Sequence, residues 1–360
     1  MEQEIREWLK AIMHPELKQN IVDAGIVQKI ESNDKQVRII LLYKKPVEPF
    51  ANTIKHNVEE LLKTKFSGKK EIIVENQFPE ATVKQFNALS GVKNIVAVAS
   101  GKGGVGKSTV AANLAVSLAM NGYKIGLLDG DIYGPSIPKM FGMEDEKPTI
   151  ESHDGQELII PIEKYGVKVL SIGFFVDPSQ ALIWRGPMAT STIKQLIEQT
   201  NWGELDMLLF DMPPGTGDIH LTLVQTVSVT GVVIVTTPQD VATADVIKGI
   251  NMFRNPSINV PVLGIIENMS WFTPAELPNN KYYIFGKGGG ERMAKEFNVS
   301  LLGQIPLVQS ICESGDKGKP VVSLHSSEGE AFSTVSNNLL VSLNERNQHE
   351  PTKKVEIINK

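Results

Sequence analysis

The sequence has almost no cysteine: Cys312 is the only one in 360 residues. That excludes an intrachain disulfide and a Cys-x-x-Cys metal site within one chain. Long apolar runs are missing as well. No stretch reaches the roughly 18–20 residues that a membrane-spanning helix needs. The opening Met1-Glu2-Gln3-Glu4-Ile5 is acidic and does not read as a secretory leader. The expected location is the cytoplasm, with no membrane partner. An excess of positive charge is lacking too. The net charge is −5, from 36 Lys and Arg against 41 Asp and Glu. This argues against a dedicated nucleic-acid binder. What remains is 41% hydrophobic and 21% charged, the composition of a globular protein with a core of normal size. The length suggests two domains, or one large domain with an appendage.

Residues 1–78 read as a small α+β domain. Ile5, Trp8, Leu9 and Ile12 form one helical stripe over Glu4–Met13, and Ile54, Val58, Leu61 and Leu62 another over Ala51–Lys65. Gln36–Tyr43 and Glu71–Glu75 are strand candidates. Residues 79–93 lack periodicity and read as a linker. From residue 94 to 345 short β-rich runs alternate with helical segments. The strands are expected at Ile95–Ala99, Lys124–Leu128, Lys168–Ile172, Met207–Phe210, Val232–Thr236, Val262–Ile266 and Ser300–Ile305. Helices are expected at Lys107–Asn121, Met188–Thr200, Thr243–Phe253, Gly289–Phe297 and Glu328–Leu343. That alternation predicts an α/β fold, a doubly wound and mostly parallel sheet. Ligands then bind at the carboxyl ends of the strands. Residues 346–360 read as a polar tail.

The strand Ile95–Ala99 runs into Gly101-Lys102-Gly103-Gly104-Val105-Gly106-Lys107-Ser108-Thr109, and a helix follows. Gly101, Gly106, Lys107 and Ser108 satisfy G-x-x-x-x-G-K-[ST], the phosphate loop of P-loop NTPases. Glycines let backbone N–H groups turn toward phosphate oxygens, and the helix N-terminus adds partial positive charge. Lys107 is expected to reach the β- and γ-phosphates and Ser108 to bind Mg²⁺. Gly101, Gly103 and Gly106 also spell the dinucleotide fingerprint G-x-G-x-x-G, with Asp129 near the ribose position. Lys107 and Ser108 decide for the phosphate loop, because a dinucleotide pyrophosphate needs neither. The nucleotide-binding set is therefore the whole run Gly101–Thr109. Lys102, a second cation inside the loop, resembles the deviant Walker A pattern K-G-G-x-G-K-[ST]. In that class the extra lysine reaches the nucleotide of a partner subunit.

Acids end two further strands. Asp131, after Leu127-Leu128-Asp129-Gly130, is expected to orient the attacking water, and Asp129 to support the magnesium shell. Turn-forming aspartates are the alternative for both. Asp211, after Leu208-Leu209-Phe210, fits a Walker B carboxylate on magnesium. The following Met212-Pro213-Pro214-Gly215-Thr216-Gly217 suits a loop that senses the γ-phosphate. Asp218 is either a polar site residue or the N-cap of the next helix. Asn268 reads as a base-recognising amide or a turn asparagine, with Ile305-Pro306 packing the base. The glycines 286–290 precede Glu291-Arg292, not Lys-Ser, and read as a helix-entry loop. Cys312 reads as structural, and the six histidines as surface or helix residues.

The runs GKGGVGKST (101–109), LLDGDIYGPSIP (127–138), WRGPM (184–188), LLFDMPPGTGD (208–218), TTPQDVA (236–242), ENMSWF (267–272), IFGKGGG (284–290) and GQIPL (303–307) together resemble the Mrp/ApbC family of P-loop ATPases, bacterial iron–sulfur cluster carriers. His14-Pro15-Glu16 and Asn20-Ile21-Val22 resemble the small domain often fused ahead of them. The resemblance implies ATP and Mg²⁺ as cofactors, slow hydrolysis, a homodimer, and an iron–sulfur cluster carried between subunits to apo iron–sulfur proteins. It assigns Lys102, Lys107 and Asp131 to catalysis, Ser108, Asp129 and Asp211 to magnesium, and Asn268 to the base. Many members carry a Cys-x-x-Cys pair between the ENMS-like and IFG-like runs. Here residues 273–283 contain no cysteine, and neither does the turn Pro46-Val47-Glu48-Pro49. The cluster ligands are thus unassigned. A metal-free, ATP-gated switch acting on client proteins is the alternative. A partitioning ATPase would want a basic face or an amphipathic C-terminal helix, and residues 345–360 offer neither.

Overall fold

The computed structural model describes residues 1–44, 48–78, 87–153, 155–175, 186–274, 276–277 and 279–352. The backbone divides into two compact units, Met1–Phe86 and Asn87–Lys360.

In the first unit, helix α1 (Glu2–Leu9) is followed by β1 (Val27–Ser32), β2 (Gln36–Leu42), α2 (Ala51–Lys65) and β3 (Glu71–Gln77). The sheet order is β1-β2-β3, with β1 antiparallel and β3 parallel to β2. A parallel neighbour needs a crossover, and α2 supplies it. Along β2 the side chains alternate, burying Val37, Ile39 and Leu41. Ile54, Val58 and Leu62 of α2 join them in one core. Helix α1 stops at Leu9 rather than Met13. There the N–H groups of Lys10, Ala11 and Ile12 bond three residues back, which tightens the chain out of the α-helix.

The second unit holds β4 (Ile95–Ser100), α3 (Lys107–Met120), β5 (Ile125–Asp129), α4 (Ile137–Phe141), β6 (Thr149–His153), β7 (Gln156–Ile160), β8 (Ile162–Lys164), β9 (Val167–Ser171), α5 (Gly186–Glu198), β10 (Met207–Asp211), α6 (Asp218–Thr226), β11 (Gly231–Thr236), α7 (Asp240–Arg254), β12 (Val262–Glu267), α8 (Gly289–Glu296), β13 (Leu301–Gln304), α9 (Gln309–Asp316) and α10 (Ser327–Asn347). The main sheet has the order β13-β12-β11-β4-β10-β5-β9-β8, and only β8 runs antiparallel to its neighbour. β6 and β7 form a separate hairpin. Every position of β4, β10 and β11 is buried, as expected where helices cover both faces. α3 packs with α10, and α5–α6 and α7–α8 pack as pairs. The crossovers β4-α3-β5 and β10-α6-β11 run in opposite directions along the sheet, so right-handed connections place their helices on opposite faces. Phe210 of β10 is fully buried, and truncation to Ala would cost about 3–5 kcal/mol. The direction of winding reverses at β4, between β10 and β11. That leaves a crevice at its carboxyl end, which is where the phosphate loop begins.

Candidate nucleotide site

β4 ends at Ser100, and the chain turns through residues 101–106 into α3. Gly106 has a φ of 77°, which L side chains avoid, and a Cβ there would also collide with the Asn268 amide. Val105 is buried and offers the loop only its backbone. Gly103 and Gly104 are exposed, over the N-terminus of α3, as an anion-binding turn requires. The Ser100 hydroxyl donates to the Lys102 carbonyl at 3.0 Å. Asn268 Nδ2 donates to the Val105 carbonyl at 2.8 Å. Asn268 therefore holds the loop from beneath. That bond uses one of the two amide N–H groups and leaves the other and the carbonyl oxygen for the base-reading task expected from the sequence.

Lys107 opens α3 and is only 6% exposed. Its Nζ lies 2.7 Å from Asp211 Oδ1, 3.2 Å from Ser108 Oγ and 3.8 Å from Asp131 Oδ2. The ends of β4, β5 and β10 bring these groups together, and Asp129 and Asp211 are paired across β5 and β10. Burial raises the pKa of Asp211, while the Lys107 cation and the Ser108 hydroxyl pull it back down. Burial raises that of Asp131 too, against the Lys107 charge. Asp129 is raised by burial and then by the charge of Asp211.

The two strand-end aspartates differ in what their oxygens do. Asp129 accepts from the backbone N–H of Asp131 at 3.1 Å, the N–H of Ile137 at 3.3 Å and the Ser171 hydroxyl at 2.9 Å. It ties down the turn between β5 and α4, and each of its oxygens already accepts a hydrogen bond. Asp211 is fully buried and its Oδ2 has no hydrogen-bond partner. An orphaned carboxylate oxygen beside the Ser108 hydroxyl fits a hard cation such as Mg²⁺.

Other expected residues fall as follows. Lys102 Nζ donates to Gln239 Oε1 of its own chain at 3.2 Å. Asp218 is exposed and is the first residue of α6. Its N-cap is Gly217, so the capping alternative is not met. Ile305 is fully buried in the core and has no surface for a base. The glycines 286–290 do lead into a helix, α8, where the Gly290 N–H donates to Glu267 Oε2 at 2.6 Å. Cys312 is exposed on α9, with its sulfur 3.9 Å from Asp316 Oδ2, so it is not a packed structural thiol. Between β12 and α8, Phe272 pairs with Tyr282 and the Lys281 ammonium sits 3.7 Å from the Trp271 ring centroid. Residues 275 and 278 of that stretch, 46 and 47 of the Pro-rich turn, and Trp184 and Arg185 lie outside the described residues. Among the described residues no three His, Cys, Asp or Glu side chains converge as a metal site. No described helix is long and apolar enough to cross a membrane. Sequence reasoning missed Ser171, Gln239, Glu267 and the buried His14 and His220. For His220 a signal existed, since Leu223, Val224 and Val227 share its helical spacing and are buried with it.

Comparison with known proteins agrees with this geometry. A family model described as NUBPL iron-transfer P-loop NTPase matches residues 91–340, and one described as iron-sulfur cluster assembly protein matches residues 2–74. The chain is 44% identical over 316 residues to the iron-sulfur cluster carrier protein of Synechocystis, covering 87% of this chain and 89% of that one. It is 45% identical over 324 residues to the carrier protein of Escherichia coli K12, covering 87% and 84%. Among solved structures, a nucleotide-binding protein in complex with ADP from Archaeoglobus fulgidus is 36% identical. It superposes with a TM-score of 0.58, covering 68% of this chain and 93% of that one. With its phosphate loop at the switch point of a doubly wound sheet and more than half its length matched, the chain belongs to the NUBPL iron-transfer P-loop NTPase family.

Proposed function

We propose that the protein is a homodimeric, magnesium-dependent ATPase that carries iron–sulfur clusters to apoproteins. One observation carries the ATPase part: Lys107 is held between Asp211 and Asp131 at the mouth of a loop shaped for phosphate. When ATP enters, Lys107 exchanges Asp211 for the β- and γ-phosphate oxygens. Ser108 and Asp211 are then free to hold magnesium, which neutralises phosphate charge. Asp131 stands beside the lysine, where it orients the attacking water. Lys102 leaves Gln239 and reaches the nucleotide of the partner subunit.

The cargo assignment is supported by the family and by the relatives' names. A cluster is substrate here, not a resident cofactor. A [4Fe–4S] cluster is usually held by four thiolates, and a dimer of this chain owns two, both Cys312. The remaining ligands then come from the client or from a small thiol. The absence of cysteine from residues 273–283 also favours a second reading, a metal-free ATP-gated switch acting on client proteins. Anaerobic reconstitution with iron and sulfide separates the two. About one cluster per dimer, lost in Cys312→Ser, supports the carrier. No bound iron, with ATP turnover intact, leaves the switch.

A further inference from the structure

At the amino ends of β4 and β11 a cavity of about 570 Å³ opens within the Asn87–Lys360 unit. Its volume falls in the range of small-molecule sites, about 300–1,000 Å³. Ile95 lines it at the start of β4, and Ser100 ends β4 at the phosphate loop, so roughly 17 Å of strand separates the cavity from the nucleotide site. Hydrogen bonds fix the walls. Asn347 Nδ2 donates to Asn94 Oδ1 at 2.9 Å, Asn94 Nδ2 to the Asp206 carbonyl at 3.0 Å, and the Ile95 N–H to Thr230 Oγ1 at 3.0 Å. The Thr352 hydroxyl donates to the Val229 carbonyl. Leu89, Val92, Ile95 and Val227 supply an apolar lining.

The charge in this cavity has one sign. Lys93 and Arg346 line it, with no Asp or Glu among the described lining residues, although the whole chain is acidic. Lys93 is already neutralised by Asp206, 2.7 Å away. Arg346, in the last turn of α10, has no such partner among the described residues. Its Nε is buried without a hydrogen bond, and Nη1 reaches only the His349 carbonyl, at a long 3.5 Å. A neighbouring cavity of about 410 Å³ shares Arg346 and is lined by Glu345, yet the two side chains form no ion pair. A half-buried guanidinium with unmet donors is unfavourable unless an acceptor arrives. Its planar fork matches a carboxylate through two parallel hydrogen bonds. Because Lys93 is paired, one positive charge is left over, which suits a singly charged carboxylate better than a doubly charged phosphate ester.

We propose that this cavity is a second ligand site, which binds a small organic monocarboxylate with its carboxylate on the Arg346 guanidinium and its hydrocarbon body against Leu89, Val92 and Val227. The site lies at the opposite end of β4 from the phosphate loop, so it does not depend on what the loop binds. A ligand there would touch both the segment that enters β4 and the segment that follows α10, and would hold them together.

Calorimetric titration of the full chain with 4-phenylbutyrate, and with 4-phenylbutanol as the uncharged control, tests this without added nucleotide. The carboxylate is expected to bind and the alcohol to bind at least about tenfold more weakly, the loss that follows when hydrogen bonds to a charged group are removed. Arg346→Gln is expected to lower the carboxylate affinity by a similar factor. Ser228→Phe fills the cavity from an exposed lining position, leaves the guanidinium in place, and is expected to abolish binding. That second variant decides the matter if Arg346→Gln does not fold. Hydrogen exchange with the bound carboxylate should show added protection within residues 87–95 and 346–352. No binding of 4-phenylbutyrate up to roughly 10 mM, an affinity weaker than about −3 kcal/mol, would overturn the proposal. So would equal affinity for the alcohol, unchanged affinity in Ser228→Phe or in folded Arg346→Gln, or protection confined to other parts of the chain.

Discussion

Replacing Lys107 with Met should destabilise the protein strongly at pH 8 and much less at pH 5. Asp211 is fully buried, and the Lys107 ammonium lies 2.7 Å from its Oδ1. Lys107 is itself only 6% exposed, so water does little to screen the pair. Removing one partner of such a pair leaves a buried charge and costs about 3–5 kcal/mol. Asp211 has an escape, because burial already raises its pKa, and losing the lysine raises it further. The native variant then binds a proton that the unfolded chain does not. Its stability therefore falls as pH rises through that window. Each pH unit below the new pKa returns about 1.4 kcal/mol. Lys107→Met with Asp211→Asn removes both charges and should return to within roughly 1–2 kcal/mol of wild type. The assay is urea unfolding followed by tryptophan fluorescence in a Trp8→Phe background. The remaining tryptophans, Trp184, Trp202 and Trp271, all lie in the Asn87–Lys360 unit. Equal destabilisation at both pH values, or a double variant no better than the single one, would refute the buried-pair argument.

Gly106→Ala should abolish nucleotide binding in a titration with fluorescent ATP, since φ is 77° and a Cβ meets the Asn268 amide; binding within about threefold of wild type would contradict the loop geometry. His220, with a folded pKa of about 4 against roughly 6.5 unfolded, leaves the unfolded state holding more protons between those values. Stability should thus rise with pH across that window by up to about 3 kcal/mol on account of His220. Subtracting the curve of His220→Gln from that of wild type isolates this part, and a flat difference would contradict the neutral buried ring. Lys102→Ala should leave nucleotide affinity of the monomer within about twofold while lowering dimer-dependent turnover at least about tenfold; an unchanged rate would remove the case for a lysine acting across subunits.

Much of the site was legible because its chemistry is local in sequence. The loop 101–108 needs glycines, a lysine and a hydroxyl at fixed spacing, and the acids at 131 and 211 follow apolar strands. The long helices and buried strands were legible from period alone, with ends shifted by a few residues. β1 was not, because Val27–Ser32 buries only Val27 and Ile30 and carries a bulge. β6 is exposed at every position and shows no apolar pattern. α4 has only five residues, too few for a helical period to accumulate. The tasks of individual polar groups depended on distant partners. Asp129 is occupied by Ser171, 42 residues away, and Asn268 by Val105, 163 residues away. No local pattern distinguishes Asp129, whose oxygens are taken, from Asp211, whose Oδ2 is free.

The central claim is that Lys107 and Asp211 form the working end of an ATPase, and phosphate release from Mg-ATP by the full chain tests it most directly. Wild type should turn over slowly but measurably, and Lys107→Ala and Asp211→Asn should each lower the rate by at least about a hundredfold, the scale expected when one transition-state contact is lost. Turnover at the wild-type rate in either variant would contradict the account.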